Sequence, residues 1–233
     1  MSDGDWLVDT RTSYDTVASS YADLVRDWLA GDPHDRAVFS LFAELAQQGG
    51  GPVADLGCGP GHVAAHLHGL GLDVVGIDLS PGMIEVARRD HPGPRFEVGS
   101  MTDLDLDDAS MAGVLAWYSL IHVPDEEVPK ALAHLARVLR PGGVALLGFH
   151  VGDEHRLKTQ GYGGHPMKVQ VHLRPVDIMA AWLVDAGLVV EASIVRDPGE
   201  AVPQGRLLAR RPQPDQPDQP DQPDQPVAPS VNA

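Results

Sequence analysis

In the stretch VADLGCGPGHVAAHL, Val53 to Leu67, an apolar run meets Gly57, Gly59 and Gly61 at alternate positions and then takes on helical character. Glycine accepts positive φ and carries no Cβ. A chain turning here from strand to helix can bring its backbone close to a ligand, with amides at the helix start facing it. A tight turn needs glycine in any case, so the loop alone is a weak signal. Asp78 strengthens it. This acid lies 21 residues after Gly57 and closes the next apolar run, LDVVGID, where it can accept hydrogen bonds from both hydroxyls of a ribose. The pair describes a nucleotide-type site whose ligand carries a ribose. His122 and His150 add proton-accepting chemistry, because imidazole titrates near neutral pH. Each follows or closes an apolar run, where a histidine can equally be a hydrogen-bonding residue at a strand rim.

The elements that must hold these residues follow from hydrophobic periodicity. Between Ser13 and Ala30, Tyr14, Val17, Ala18, Tyr21, Leu24, Val25 and Trp28 recur at helical intervals. A second helical run, Asp35 to Gln48, stops at three glycines, so 13–48 reads as an N-terminal helical cap. Five apolar runs follow: PVADLG, LDVVGID, RFEVG, MAGVLAWYS and GGVALLGFH, the last ending at His150. Helical stretches at 61–70, 81–90 and 126–139 separate them, except between the third and fourth. Strands that are apolar throughout and separated by helices imply a parallel sheet covered on both faces, a doubly wound α/β fold.

Residues 151–174 break this rhythm with a polar, glycine-rich insertion containing one alternating piece, KVQVHL. A segment of this length suits a lid. Tyr162, His165, His172 and Arg174 are its candidate substrate contacts, or else plain surface-loop residues. A helix at Pro175 to Ala186 and strands at LVVEASIV and GRLLARR complete one domain, 1–211. Residues 212–233 carry four PDQ units and should be a disordered tail of polyproline II character.

Composition narrows the function classes. The 233 residues are 43% hydrophobic, enough for one sizeable core, and the formal net charge of -16 argues against nucleic-acid or anionic-membrane partners. The single cysteine, Cys58, excludes an intrachain disulfide framework and reads as a small loop residue rather than a nucleophile. No secretory signal or membrane-spanning run is visible, which suggests a soluble, cytoplasmic protein, as monomer or homodimer. No metal site is expected: His62, His66 and His68 share a short stretch, but no H-E-x-x-H motif or matched carboxylate completes a ligand set.

The glycines fall as G-x-G-x-G, with Pro60 stiffening the loop, whereas the dinucleotide fingerprint G-x-G-x-x-G places its third glycine one residue later. In this form VADLGCGPG resembles the glycine motif of the class I S-adenosylmethionine-dependent methyltransferases. DLSPGMIEVAR, VGSMTDL, AWYSLIHVP and LARVLRPGGVALLG resemble further family segments in family order. The resemblance spans about Tyr14 to Arg211 and implies a Rossmann-like sheet of order 3-2-1-4-5-7-6 with the seventh strand antiparallel. It assigns Asp55 and the amides around Gly57, Cys58 and Gly59 to the methionyl part of the cofactor. Gly61 goes to close packing at the helix start. Asp78, with Leu79 and Met83 in the loop after it, goes to the ribose side.

Ser100, Met101 and Thr102 or Asp103 would line the adenine. Tyr14 and Tyr21 would cover the methionyl end, or pack as core aromatics, and Trp117 and Tyr118 would line the site or pack the strand end. The implied activity is methyl transfer to a small-molecule O, N or C nucleophile, leaving S-adenosylhomocysteine. His122 would be a cofactor-side contact or base and His150 a substrate-side base. The alternatives are a protein that binds S-adenosylmethionine or S-adenosylhomocysteine without methyl transfer, and an NAD-dependent oxidoreductase on the same layered architecture.

Overall fold

The computed structural model describes residues 5–213; the expected PDQ-repeat tail lies, from residue 214 on, outside the described residues. The N-terminal helices are α1 (Asp5–Val25), α2 (Trp28–Gly31) and α3 (Pro33–Gly49). Thus α1 begins eight residues before the expected Ser13. α3 starts where Asp32 accepts the Asp35 backbone N–H at 3.0 Å, with Pro33 setting the first helical φ.

The alternating unit follows as β1 (Val53–Leu56), α4 (His62–Gly69), β2 (Val74–Asp78), α5 (Pro81–Asp90), β3 (Arg95–Val98) and β4 (Met111–Trp117). A single 3-10 turn at Leu120–His122 leads to α6 (Val128–Val138) and β5 (Leu139–His150). β1 and β4 are buried along their whole length, as strands covered on both faces must be. The insertion forms a hairpin of its own, β6 (Glu154–Gln160) and β7 (Pro166–Leu173). α7 (Val176–Asp185), β8 (Val189–Arg196) and β9 (Gln204–Arg210) finish the domain.

The main sheet has the order β3-β2-β1-β4-β5-β9-β8, with β9 antiparallel to both neighbours. With the hairpin strands set aside, this is the order 3-2-1-4-5-7-6 expected from the sequence. Helices cover both faces, with Leu132 and Leu135 of α6 in one core and Phe39 and Phe42 of α3 in the other. A third, smaller core joins Val17, Ala18 and Ala22 of α1 to Met83 and Val86 of α5 and to Met167 and Val169 of β7. The Lys168 N–H donates to Ser13 Oγ at 2.8 Å, and its ammonium pairs with Asp9 at 2.7 Å. α1 and the hairpin are therefore packed as one cover over the carboxyl edge of the sheet.

Gly61 caps α4 in the left-handed region, at φ 85°. A Cβ there would lie 2.7 Å from Phe96 Cζ and 2.9 Å from Ala87 Cβ. Gly61→Ala should therefore cost at least about 2 kcal/mol through backbone strain and overpacking. Urea denaturation would read this as a lower midpoint at unchanged slope.

Candidate functional site

A cavity of about 610 Å³ opens at the carboxyl ends of β1, β2, β4 and β5, beneath α1. Its wall includes Tyr14 and Tyr21 from α1, Asp55, Gly57, Cys58 and Gly59 after β1, and Asp78 and Leu79 after β2. Ser100 and Met101 come from the loop after β3, and Trp117, Tyr118 and His122 from the end of β4. His150 from β5 and Tyr162 from the hairpin turn close it. Six residues expected at or beside the site do not line the cavity. Gly61 packs against Phe96 at the start of α4, the role expected of it, whereas Met83, fully buried, faces α1 in the third core. Thr102 is buried beside Ser100, with their hydroxyls 2.8 Å apart. His165 is exposed at the hairpin turn. His172 faces a second cavity.

Arg174 is the sixth, and its guanidinium has a structural task. It donates to Asp125 Oδ1 at 2.9 Å, to the Leu120 carbonyl at 2.8 Å and to the Val123 carbonyl. It pins the end of the hairpin to the turn after β4.

The glycine loop also departs from expectation in how it uses its amides. Gly57 and Cys58 both donate to the Ile77 carbonyl, at 2.7 and 3.1 Å, and Gly59 donates to Asp78 Oδ2 at 2.8 Å. These donors clamp the loop to β2 and do not point into the cavity. Gly57 is required by packing: at φ 74°, a Cβ there would fall 2.3 Å from Ser119 Cβ.

Two carboxylates sit in the same wall. Asp78 accepts Ser80 N–H on Oδ1 and Gly59 N–H on Oδ2, both at 2.8 Å, which aims the carboxylate and leaves each oxygen a further lone pair. Burial pushes its carboxyl up to about 6, with those two amides opposing. Asp55 is 1% exposed and its Oδ2 has no hydrogen-bond partner among the described residues. Burial, with Asp78 adding to it, pushes the Asp55 carboxyl up to about 7. A buried acid raised in this way supports the fold fully only below the ordinary carboxyl value, and that support is lost as pH rises from there through the raised value. Asp55→Asn should thus change thermal stability little near pH 3.5. At pH 8 it should raise the unliganded melting temperature, with up to about 4 kcal/mol available. Scanning fluorimetry at the two pH values checks both.

The histidines differ in what their ring nitrogens do. His122 Nδ1 lies 2.8 Å from the Gln170 carbonyl, which can only accept, so Nδ1 carries the proton. Its Nε2 then accepts the Tyr14 O–H at 2.6 Å. Burial pushes this imidazole down to about 4. His150 Nδ1 donates to Gln204 Oε1 at 3.1 Å, and the same oxygen accepts the Tyr118 O–H at 2.5 Å. The lone pair of His150 is therefore on Nε2, and burial also lowers its pKa. Cys58 is held as the thiol by burial and by the neighbouring Asp78 and Asp55.

The sequence reading missed one end of the cavity. Gln204 and Arg206 reach it from β9, and Asp35 from α3. Arg206 lies over the Trp117 ring at 4.4 Å and pairs with the buried Asp35 at 3.0 Å. A signal was available: an antiparallel last strand begins at the edge where the parallel strands end.

Residues 53–143, which contain the glycine loop, both carboxylates and the turn after β4, match the model of a methyltransferase domain. The sheet order is that of the class I S-adenosylmethionine-dependent methyltransferase fold. In sequence, this chain is 37% identical over 97 residues to a malonyl-acyl-carrier-protein O-methyltransferase of Serratia marcescens. That match covers 42% of this chain and only 37% of the relative. Among solved structures, a magnesium protoporphyrin IX methyltransferase from Synechocystis PCC 6803 superposes with a TM-score of 0.67 at 20% identity. It covers 91% of this chain and 99% of its own. A Burkholderia thailandensis 1,6-didemethyltoxoflavin-N1-methyltransferase gives the same TM-score at 22% identity, covering 91% and 92%. No helix among the described residues is long and apolar enough to cross a membrane.

Proposed function

We propose that the chain is a cytoplasmic enzyme that transfers a methyl group from S-adenosylmethionine to a small-molecule nucleophile. The observation that carries this reading is the unpartnered Oδ2 of Asp55, buried in the cavity wall next to the doubly held Asp78. A buried carboxylate oxygen without a donor calls for a cationic or hydrogen-bond-donating ligand. S-adenosylmethionine fits, because it carries an ammonium, a sulfonium and a ribose diol. Asp55 would face the ammonium end and Asp78 the ribose hydroxyls. Met101 and Leu79 line the cavity and offer apolar surface for an adenine. At Gly59, φ 56°, the position a Cβ would take has only Tyr21 Cε1 near it, at 3.6 Å, so a ligand can lie against the loop there.

The bound cofactor supplies an electrophilic methyl on a good leaving group. The protein's own contribution is then alignment of the acceptor, an effect that can supply roughly 7–11 kcal/mol, and removal of a proton when the acceptor carries one. The Nε2 of His122 is already occupied by Tyr14, and burial makes this imidazole a weak base. His122 thus orients Tyr14, whose oxygen keeps its lone pairs for a donor in the cavity. His150 is the better base, since its proton is fixed on Nδ1 and its Nε2 is left to accept.

Mass spectrometry of ligand released from purified protein tests the reading: S-adenosylmethionine or S-adenosylhomocysteine is expected, and a nicotinamide would overturn it. Radiolabelled-methyl transfer to a panel of phenols, alcohols and amines then tests catalysis. Tight cofactor binding with no transfer to any of them would favour a binding protein.

A further inference from the structure

We propose that His155, His172 and Asp125 form a binding site for a divalent transition-metal ion of the zinc class. The hairpin register sets His155 directly across from His172, with ring centroids 4.6 Å apart in an edge-to-face arrangement. Asp125, from the turn between β4 and α6, brings Oδ1 to 3.8 Å from His172 Nδ1. One potential ligand atom from each of the three residues lies within 4.8 Å of the others. Side-chain rotation closes that to the roughly 3.3 Å edge of a tetrahedron with metal-ligand bonds of about 2.0–2.1 Å.

His172 gives an independent reason to expect an ion. The residue is 8% exposed, yet neither of its ring nitrogens has a hydrogen-bond partner among the described residues. Buried polar groups are nearly always paired. Asp125 does not supply the partner, because its Oδ1 is 3.8 Å away, beyond hydrogen-bond reach; that oxygen accepts from Arg174 and keeps a further lone pair for an ion. Glu126 lines the same cavity, of about 330 Å³, as both histidines, and its negative charge offsets that of Arg174. Two imidazoles with carboxylate suit zinc, nickel or copper rather than magnesium or calcium. His155 is exposed and the Asp125 side chain is 45% exposed, so an ion can reach the site from solvent.

The ligands come from β6, β7 and the turn after β4, so the ion would clasp the hairpin to the body of the domain. Gln170, which fixes the His122 proton, lies on the same β7 strand. The ion would thereby set the position of the cover without touching the larger cavity.

The test is titration of the full, tag-free chain with Co²⁺ alone, followed by the d–d absorption of the ion, with Zn²⁺ added as competitor. One equivalent of Co²⁺ is expected to bind in a tetrahedral-type spectrum, to be displaced by Zn²⁺, and to raise the melting temperature. His155→Ala, a change at an exposed position, should weaken binding by at least about tenfold, the loss that removing even a supporting partner of a metal ligand brings. His165→Ala, at the other end of the hairpin, should leave binding unchanged. Absence of binding at micromolar Co²⁺, or an affinity unaltered in His155→Ala, would overturn the proposal. Far-UV circular dichroism and the melting temperature of metal-free His155→Ala confirm that the variant is folded, and His155→Gln provides a second substitution at the same position.

Discussion

With a phenolic or alcoholic acceptor, His150→Gln is expected to lose about 10²–10⁴-fold in kcat, the range for removing a positioned general base. The expectation rests on the tautomer. Gln204 Oε1 accepts from both His150 Nδ1 and the Tyr118 hydroxyl, so it holds the ring with Nε2 as the basic atom. Burial lowers the His150 pKa below its usual value, so the ring is neutral and able to accept a proton at pH 7. Activity of the native enzyme should therefore rise with pH through a pKa below 6.5 and then level off. The variant should lack that limb. Cofactor-induced thermal stabilisation should persist in the variant, which separates a lost base from a damaged site. If His150→Gln keeps both rate and pH profile, His150 is only a rim hydrogen-bonder.

Arg206→Met should be the most destabilising of the changes considered for the sheet. Arg206 and Asp35 have side chains 3% and 2% exposed, and they meet at 3.0 Å beside Trp117. Losing one partner leaves a buried charge without its counterion, which costs about 3–5 kcal/mol. In a chain of this size that lowers the melting temperature by roughly 6–20 °C. Arg196 offers little relief, because it lies 3.9 Å from Asp35 and is directed mainly to Asp32 at 2.5 Å. Burial already raises the Asp35 pKa against the opposing pull of Arg206. Without Arg206 that pKa rises further, so the deficit relative to the native protein should shrink as pH falls and Asp35 takes up a proton. Asp35→Asn combined with Arg206→Met should recover much of the loss. Equal melting temperatures for the native protein and Arg206→Met at pH 8 would show that the pair carries no such weight.

The parts of the fold that were legible in the sequence are those where local pattern and burial agree. β1, β2 and β4 read as strands because both faces are covered, and Asp78 could be placed because its strand ends there. β6 could not be read: six of its seven residues are exposed, so no alternation marks it as the partner of the visible KVQVHL strand. The missed strand hid the cross-strand pair His155 and His172. Met83 and Arg174 were misplaced for a related reason. Their sequence neighbours point to the site, but their own directions are set by α1 and by the turn after β4, which only the tertiary structure brings near. The use of the loop amides was equally hidden, since no local signal shows that the Ile77 carbonyl takes two of them.

The cover over the cavity joins α1, at one end of the domain, to a hairpin more than 140 residues later, and β9 adds Gln204 and Arg206 later still. During synthesis α1 is made before the rest of this domain and can dock on α5, but Met167 and Val169 reach it only once β7 has been made. Such long-range closure is slow relative to local contacts. A fragment that stops short of β7 and β9 lacks part of the wall, so occupancy of this cavity reports a completed domain.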